Sequence, residues 1–274
     1  MSVDAELRML EIDIPAQPEA LVKLSLLLAE EDVDLKALSA LVESDMALAG
    51  AVLKAVNSSL YGLSGRVQSV QQAITYLGTR EVAAVTFEMG LRAVFPPAPE
   101  LAPIWDRAAR RGVLMGRIAG ALGVDPWIAH SAGLFEECGK AVLFRHASSR
   151  YRPLLAQADG DEFELLRLEH AEFGVSNDYL GAALCESWGL AAPAVASVRH
   201  HVEVQASREL PPQVQRRAVC ALSAIAHALM TAPDTLEEVA RAVAPQAQLD
   251  ETLVLRGARR IEERLQAAAE RAAA

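Results

Sequence analysis

Arginine is the first residue type whose spacing in this chain suggests chemistry. Arg107, Arg110, Arg111 and Arg117 fall within one helical stretch, and Arg145, Arg150 and Arg152 follow in what reads as a loop. A guanidinium presents its N–H donors in a planar fork, so two such clusters could cradle a phosphate-bearing nucleotide. They suit a solvated, ion-paired surface better, because 26 Lys+Arg stand against 36 Asp+Glu and the formal net charge is −10. His200 and His201 are adjacent and on a helix would point about 100° apart. One is expected to pack and the other to meet solvent, rather than both to hold one ion. His170, beside Glu169 and two residues from Glu172, reads as an exposed helix face, and His130 and His146 as structural. Cys138, Cys185 and Cys220 form neither a disulfide framework nor a zinc knuckle, which fits a reduced, cytoplasmic setting. No G-x-G-x-x-G, P-loop, G-x-S-x-G or H-E-x-x-H motif occurs.

The elements that must position these residues read as helices throughout. Asp34 is placed to cap a helix with Leu35, Leu38 and Val42 on its inner face, and Asp45 to cap one carrying Leu48, Val52 and Val56. Ser69 with Gln72 forms a capping box, Gly78 ends that helix, and Thr79 caps the next, whose inner face holds Val82, Val85 and Met89. Asp125-Pro126 is an N-cap followed by an N1 proline; Gly189 stops a helix begun near Ser176 or Asn177; Pro193 opens another. Asp234 with Glu237 reads as a further capping box, and Leu249–Ala274 as a helix with interleaved Arg and Glu. Trp105, Trp127 and Trp188 sit among apolar neighbours and are expected in the core. No alternating run bounded by hairpin turns is present, so the fold class is all-α. Pro96-Pro97-Ala98-Pro99 admits no helix across it and divides the chain into bundles over residues 1–95 and 100–274. No stretch reaches the roughly 18 apolar residues of a membrane span, and the N-terminal segment lacks a basic flank followed by an apolar run. The acidic balance argues against nucleic acid and anionic membrane as partners.

Several segments occur in a recognisable order. They are IPAQPEALVKLSLLL, LVESDMALAGAVLKAVNSSLYG, RVQSVQQAITYLGTREVAAV, IWDRA, SAGLFEECGKAVL, GVSNDYLGAALCESWGL and VASVRHH. The run Asn57-Ser58-Ser59-Leu60-Tyr61-Gly62, followed by Ser69, Ala73, Ile74 and Leu77-Gly78, is the strongest of them. Over about residues 12–201 the chain resembles the HDOD family, regulatory relatives of the HD-domain metal-dependent phosphohydrolases. The resemblance implies an N-terminal helical bundle packed on an HD-like bundle.

An HD site holds a divalent metal with imidazoles and carboxylates, and the metal activates water for attack on phosphorus. This chain contains no His-Asp dipeptide. The resemblance puts Glu136 at the His position and Glu137 at the Asp position, Arg107 where an upstream His ligand stands, and Asn177 at another His position. Only His200 and His201 match the family's imidazoles, with His227 loosely near a final aspartate. A guanidinium has no lone pair to give, so no catalytic residue, metal or cofactor is expected here. The other outcome is an atypical site built on Glu136, Glu137 and His200. Arg107 with Glu136 or Glu137 could instead form a buried ion pair. The function expected is signal transduction through binding of a signalling protein, with input from another chain or a small ligand. A divergent phosphohydrolase or phosphodiesterase and a nucleotide-binding sensor are the alternatives. Asn57, Ser58 and Tyr61 read as a turn bonding its own backbone and as a candidate partner-docking loop.

Overall fold

The computed structural model describes residues 12–28, 34–58, 60–61, 63 and 67–273; Ser59 and Gly62 of the loop motif lie outside them. Among the described residues every regular element is a helix. The chain divides into two compact units, Gln17–Val94 with Arg260–Ala274, and Met1–Ala16 with Phe95–Arg259.

The first unit holds α1 (Glu19–Leu28), α2 (Leu35–Glu43), α3 (Met46–Val56), α4 (Val70–Leu77) and α5 (Thr79–Ala93). Asp34 accepts from Lys36 N at 2.8 Å, and Asp45 from Ala47 N at 2.8 Å and Leu48 N at 3.1 Å, so both act as N-caps. Ser69 Oγ accepts from Gln72 N at 3.2 Å, while Gln72 Oε1 reaches back to Gln68 N at 2.8 Å. Gly78 stands at φ +85° between α4 and α5, so Gly78, not Thr79, is the cap residue of α5 and Thr79 is already helical. Leu38, Val42, Leu48, Val52 and Val56 are buried as their spacing predicts. Leu35 is not on that inner face but 53% exposed: it opens α2, and Cβ bonds tilt toward the helix N-terminus, past the packed turn.

The second unit holds α6 (Ala102–Leu122), α7 (Pro126–Phe135), α8 (Cys138–Ala158), α9 (Glu162–Phe173), α10 (Asn177–Ser187), α11 (Ala192–Ser207), α12 (Val214–Thr231) and α13 (Leu236–Val243). A last helix, α14 (Glu251–Ala273), begins in this unit. Asp125 caps α7, accepting from Trp127 N at 2.8 Å and Ile128 N at 3.1 Å ahead of Pro126. Gly189 follows α10 at φ +70°. Three expectations need correction. Arg145, Arg150 and Arg152 lie within α8, which is interrupted only at Ala147 (φ −152°, ψ 64°), and not in a loop. Asp234 caps nothing: Pro233 starts a short 3₁₀ turn, Pro233–Thr235, which takes up the position an extended N-cap would need, and α13 begins afterwards. Trp105 and Trp188 are buried, with Trp188 Nε1 donating to Pro15 O at 2.8 Å, but Trp127, in the first turn of α7, is only half-buried and stacks on His130.

Two glycines let helices of this unit approach. A Cβ on Gly133 of α7 would lie 2.8 Å from Met115 Sδ and 3.0 Å from the Arg111 backbone of α6. A Cβ on Gly139 of α8 would lie 1.8 Å from the Asn177 carbonyl oxygen at the start of α10. These approaches bring α6, the α7–α8 corner and α10 together.

Candidate functional site

Glu136 and Glu137 form the corner between α7 and α8, and the whole run Ser131–Lys140 is buried. A buried carboxylate must be paired or neutralised. Arg107 and Arg111, four residues apart on α6, share one face and point at this corner. Arg107 donates from Nε to Glu137 Oε1 at 3.1 Å and from Nη2 to Glu137 Oε2. Arg111 Nη2 donates to Glu137 Oε1 at 2.7 Å, and Lys140 Nζ, one turn into α8, to Glu137 Oε2 at 3.0 Å. Lys140 also donates to Glu162 Oε1 at 2.7 Å. Glu136 has a different setting: its Oε2 lies 3.1 Å from Arg111 Nε and accepts from Gln205 Nε2 at 3.2 Å, and Gln205 also donates to Ser223 Oγ at 3.1 Å. Three cations, Arg107, Arg111 and Lys140, therefore face three carboxylates, Glu136, Glu137 and Glu162.

Burial works against charge on Glu137, but Lys140, Arg111 and Arg107 outweigh it and hold its carboxyl well below the ordinary carboxylate range. Lys140 and Arg111 are likewise opposed by burial and kept protonated by the glutamates. Arg107, at 44% side-chain exposure, is the solvent-facing member, while Arg111, Lys140 and Glu137 are each at 6% or less.

Asn177 joins a different carboxylate. Its backbone N and Nδ2 donate to Glu169 Oε2 at 2.7 and 2.8 Å, and Tyr151 OH donates to Glu169 Oε1 at 2.5 Å. Burial, against those donors and Lys140, pushes the Glu169 carboxyl up to about 7. Beside the exposed His170, Glu169 is thus fully buried. Its signal was available, since Leu165 lies four residues before it on α9 and is buried on the same face.

The two histidines of α11 part company. His201 is buried, with Nδ1 2.7 Å from Val198 O, to which it can donate, and its Nε2 has no hydrogen-bond partner among the described residues. His200 is half-exposed, with Nδ1 3.5 Å from Glu203. His227 is partly buried, and burial, then Arg111, Arg208 and His201, lower its imidazole to about 4. The arginines of the second cluster go to separate partners: Arg145 meets Asp13, Arg150 meets Glu172 over the Phe173 ring, and Arg152 meets Glu100 over the Phe144 ring. All three cysteines are buried free thiols. In the other unit Asn57 Nδ2 donates to Leu53 O and Val67 O, and its Oδ1 accepts from Val67 N; Tyr61 is buried and Ser58 exposed.

Sequence reasoning named Arg107, Glu136 and Glu137 but assigned Arg111 to a surface cluster and gave Lys140, Glu162 and Gln205 no role. The clue was periodic: Lys140 follows Glu137 by three residues and Gln205 follows His201 by four, so each shares a helix face with its predecessor.

The described residues include no group of three or more His, Cys, Asp or Glu side chains arranged to hold a metal. No helix among them is long and apolar enough to cross a membrane. Comparison with known proteins finds the HDOD domain over residues 14–204. An uncharacterised protein of Treponema pallidum is 28% identical over 210 residues, 74% of this chain but only 40% of that protein's length. A solved protein from Shewanella amazonensis SB2B, provisionally named a phosphohydrolase, superposes with a TM-score of 0.69 at 19% identity, covering 98% of both chains. Another from Marinobacter aquaeolei VT8, provisionally named a signal transduction protein, gives 0.71 at 22% identity over 97% of this chain and 61% of that one. These likenesses establish the all-helical fold, and the match over residues 14–204 places the chain in the HDOD domain family.

Proposed function

We propose that this chain is a regulatory HDOD protein that acts by binding a signalling partner and does not hydrolyse phosphoesters. The supporting observation is the occupancy of Glu137: both its oxygens already accept from Arg107, Arg111 and Lys140. A divalent ion approaching that carboxylate would meet three cations, two of them guanidiniums with no lone pair to offer. The residues that the resemblance assigns to an HD metal centre, Arg107, Glu136, Glu137, Asn177, His200 and His201, do not fit such an ion. Asn177 serves Glu169, and His200 lies away from the buried face that holds His201. In this reading the ion-pair network does the structural work of a metal, tying α6, α8 and α9 at one point. The solved relative from Marinobacter aquaeolei, provisionally named for signal transduction, is consistent with a regulatory role.

The test is elemental analysis of protein purified without chelator, with bis(p-nitrophenyl) phosphate turnover measured in added Mn²⁺. The expected result is metal far below one ion per chain and no turnover above buffer. Stoichiometric metal with turnover that disappears in Glu137→Gln would overturn the reading. Cross-linking and recovery of one specific protein from native cells would support the partner-binding half.

A further inference from the structure

A cavity of about 350 Å³ opens between α10, α11 and the first turn of α12. That volume lies in the range of small-molecule sites. Its apolar wall is built from Ala183, Leu190, Val195 and Ala196. Arg199, His200 and Arg216 supply its basic side, against the single carboxylate of Glu186. Arg199 is committed: it pairs with Asp178 and lies 5.3 Å over the Tyr179 ring. Arg216 forms no ion pair among the described residues and is half-buried against this wall. In a chain of net charge −10, Arg216 is thus a guanidinium left available at the wall of this cavity. The cavity is distinct from the Glu137 network, because none of Arg107, Arg111, Glu136, Glu137, Lys140 and Glu162 lines it.

We propose that this cavity binds a small amphipathic anion, a carboxylate or phosphate monoester on a short apolar body. The guanidinium of Arg216 takes the head group, forked toward two oxygens, with His200 beside it. The body lies on Ala183, Leu190, Val195 and Ala196, where its burial adds the apolar contribution. Such a site would give the chain a chemical input of its own. The inference stands apart from the partner-binding reading, since a ligand could bind here whether or not the Glu137 corner is catalytic.

The test is calorimetric and NMR titration of the full chain with octanoate, octyl phosphate and octylammonium. At least one anion is expected to bind saturably at one per chain, and octylammonium about tenfold more weakly or less. Octanoate against octyl phosphate identifies the preferred head group. Arg216→Glu should weaken the anion about tenfold or more, as loss of a charge-assisted hydrogen bond does. Val195→Trp should fill the cavity and abolish binding, with melting temperature and circular dichroism of both variants near wild type. The exposed Arg241→Gln should bind as wild type does. Absence of saturable binding by either anion, equal binding of octylammonium, or undiminished binding in folded Arg216→Glu would each sink the proposal.

Discussion

At the residue scale, the contrast between Glu137 and Arg107 separates a buried charge from a half-exposed one. Removing one partner of a buried network leaves the others uncompensated. Glu137→Gln is therefore expected to lower unfolding free energy by about 3–5 kcal/mol in urea titration. Arg107→Gln, at a side chain 44% exposed, should lose about 1 kcal/mol or less, because water screens it and Arg111 and Lys140 still hold Glu137. Equal losses in the two variants would contradict the assignment of Arg111 and Lys140 as the inner pair.

Glu169 makes a pH-dependent prediction. Its folded value of about 7 lies above the ordinary 4.5, so between these the native state keeps a proton that the unfolded chain has lost. Stability from this group is fully present below about 4.5 and is lost as pH rises through about 7, by roughly 3 kcal/mol. Glu137 and His227 titrate in the opposite sense: Glu137 is depressed, and His227, at about 4, binds its proton less readily than an unfolded histidine. Both lose stability as pH falls, so the Glu169 effect must be read as a difference. Glu169→Gln can keep the geometry, its oxygen accepting from Asn177 and its amide donating to Tyr151 Oη. Wild type minus Glu169→Gln, measured by urea unfolding from pH 5 to 8, should decline with pH and level off above 7. A flat difference would mean that Glu169 is ionised throughout.

At the scale of elements, the α8–α10 contact is the sharpest packing statement in the molecule. Gly139→Ala would put a methyl on the Asn177 carbonyl, at a spacing of 1.8 Å that backbone can relieve only by parting the helices. The expected loss is about 3 kcal/mol or more, at or beyond the upper end of ordinary overpacking. The matched control is Gly257→Ala in α14, where a Cβ would sit 3.6 Å from Ala121 Cβ in ordinary contact. There the gain in helix propensity should leave stability unchanged or raised by about 0.5–1 kcal/mol. Asp125→Ala should lose about 1 kcal/mol, since it frees the Trp127 and Ile128 amides from their cap. Thermal melts of the three variants rank these effects directly.

At the scale of the whole molecule, the Glu137 network holds its helices with charges that belong to the chain. A chelator should therefore leave the melting temperature unchanged, whereas a fold resting on a bound metal would lose stability with its removal. The expected result is coincident melts with and without EDTA, and a drop of several degrees in EDTA would overturn the network's role. Much of the architecture was legible beforehand, because helix starts depend on a few neighbouring residues. Asp34, Asp45, Ser69 and Asp125 cap their helices through amides two or three residues away. One misreading came where a second local rule competed, as Pro233 drew Asp234 into a turn.

The sequence by itself determined the helical class, the family and the presence of an arginine-bearing stretch and of the paired Glu136 and Glu137. Each of these depends on residue identity, periodicity or order along the chain. Tertiary structure alone decided that Arg111 and Lys140, and not only Arg107, close on Glu137, that Asn177 turns to Glu169, and that His200 and His201 serve different surroundings. Ion pairing and desolvation depend on distances between helices far apart in sequence. Those distances are set by close approaches such as Gly139 against Asn177, which no local pattern of residues encodes.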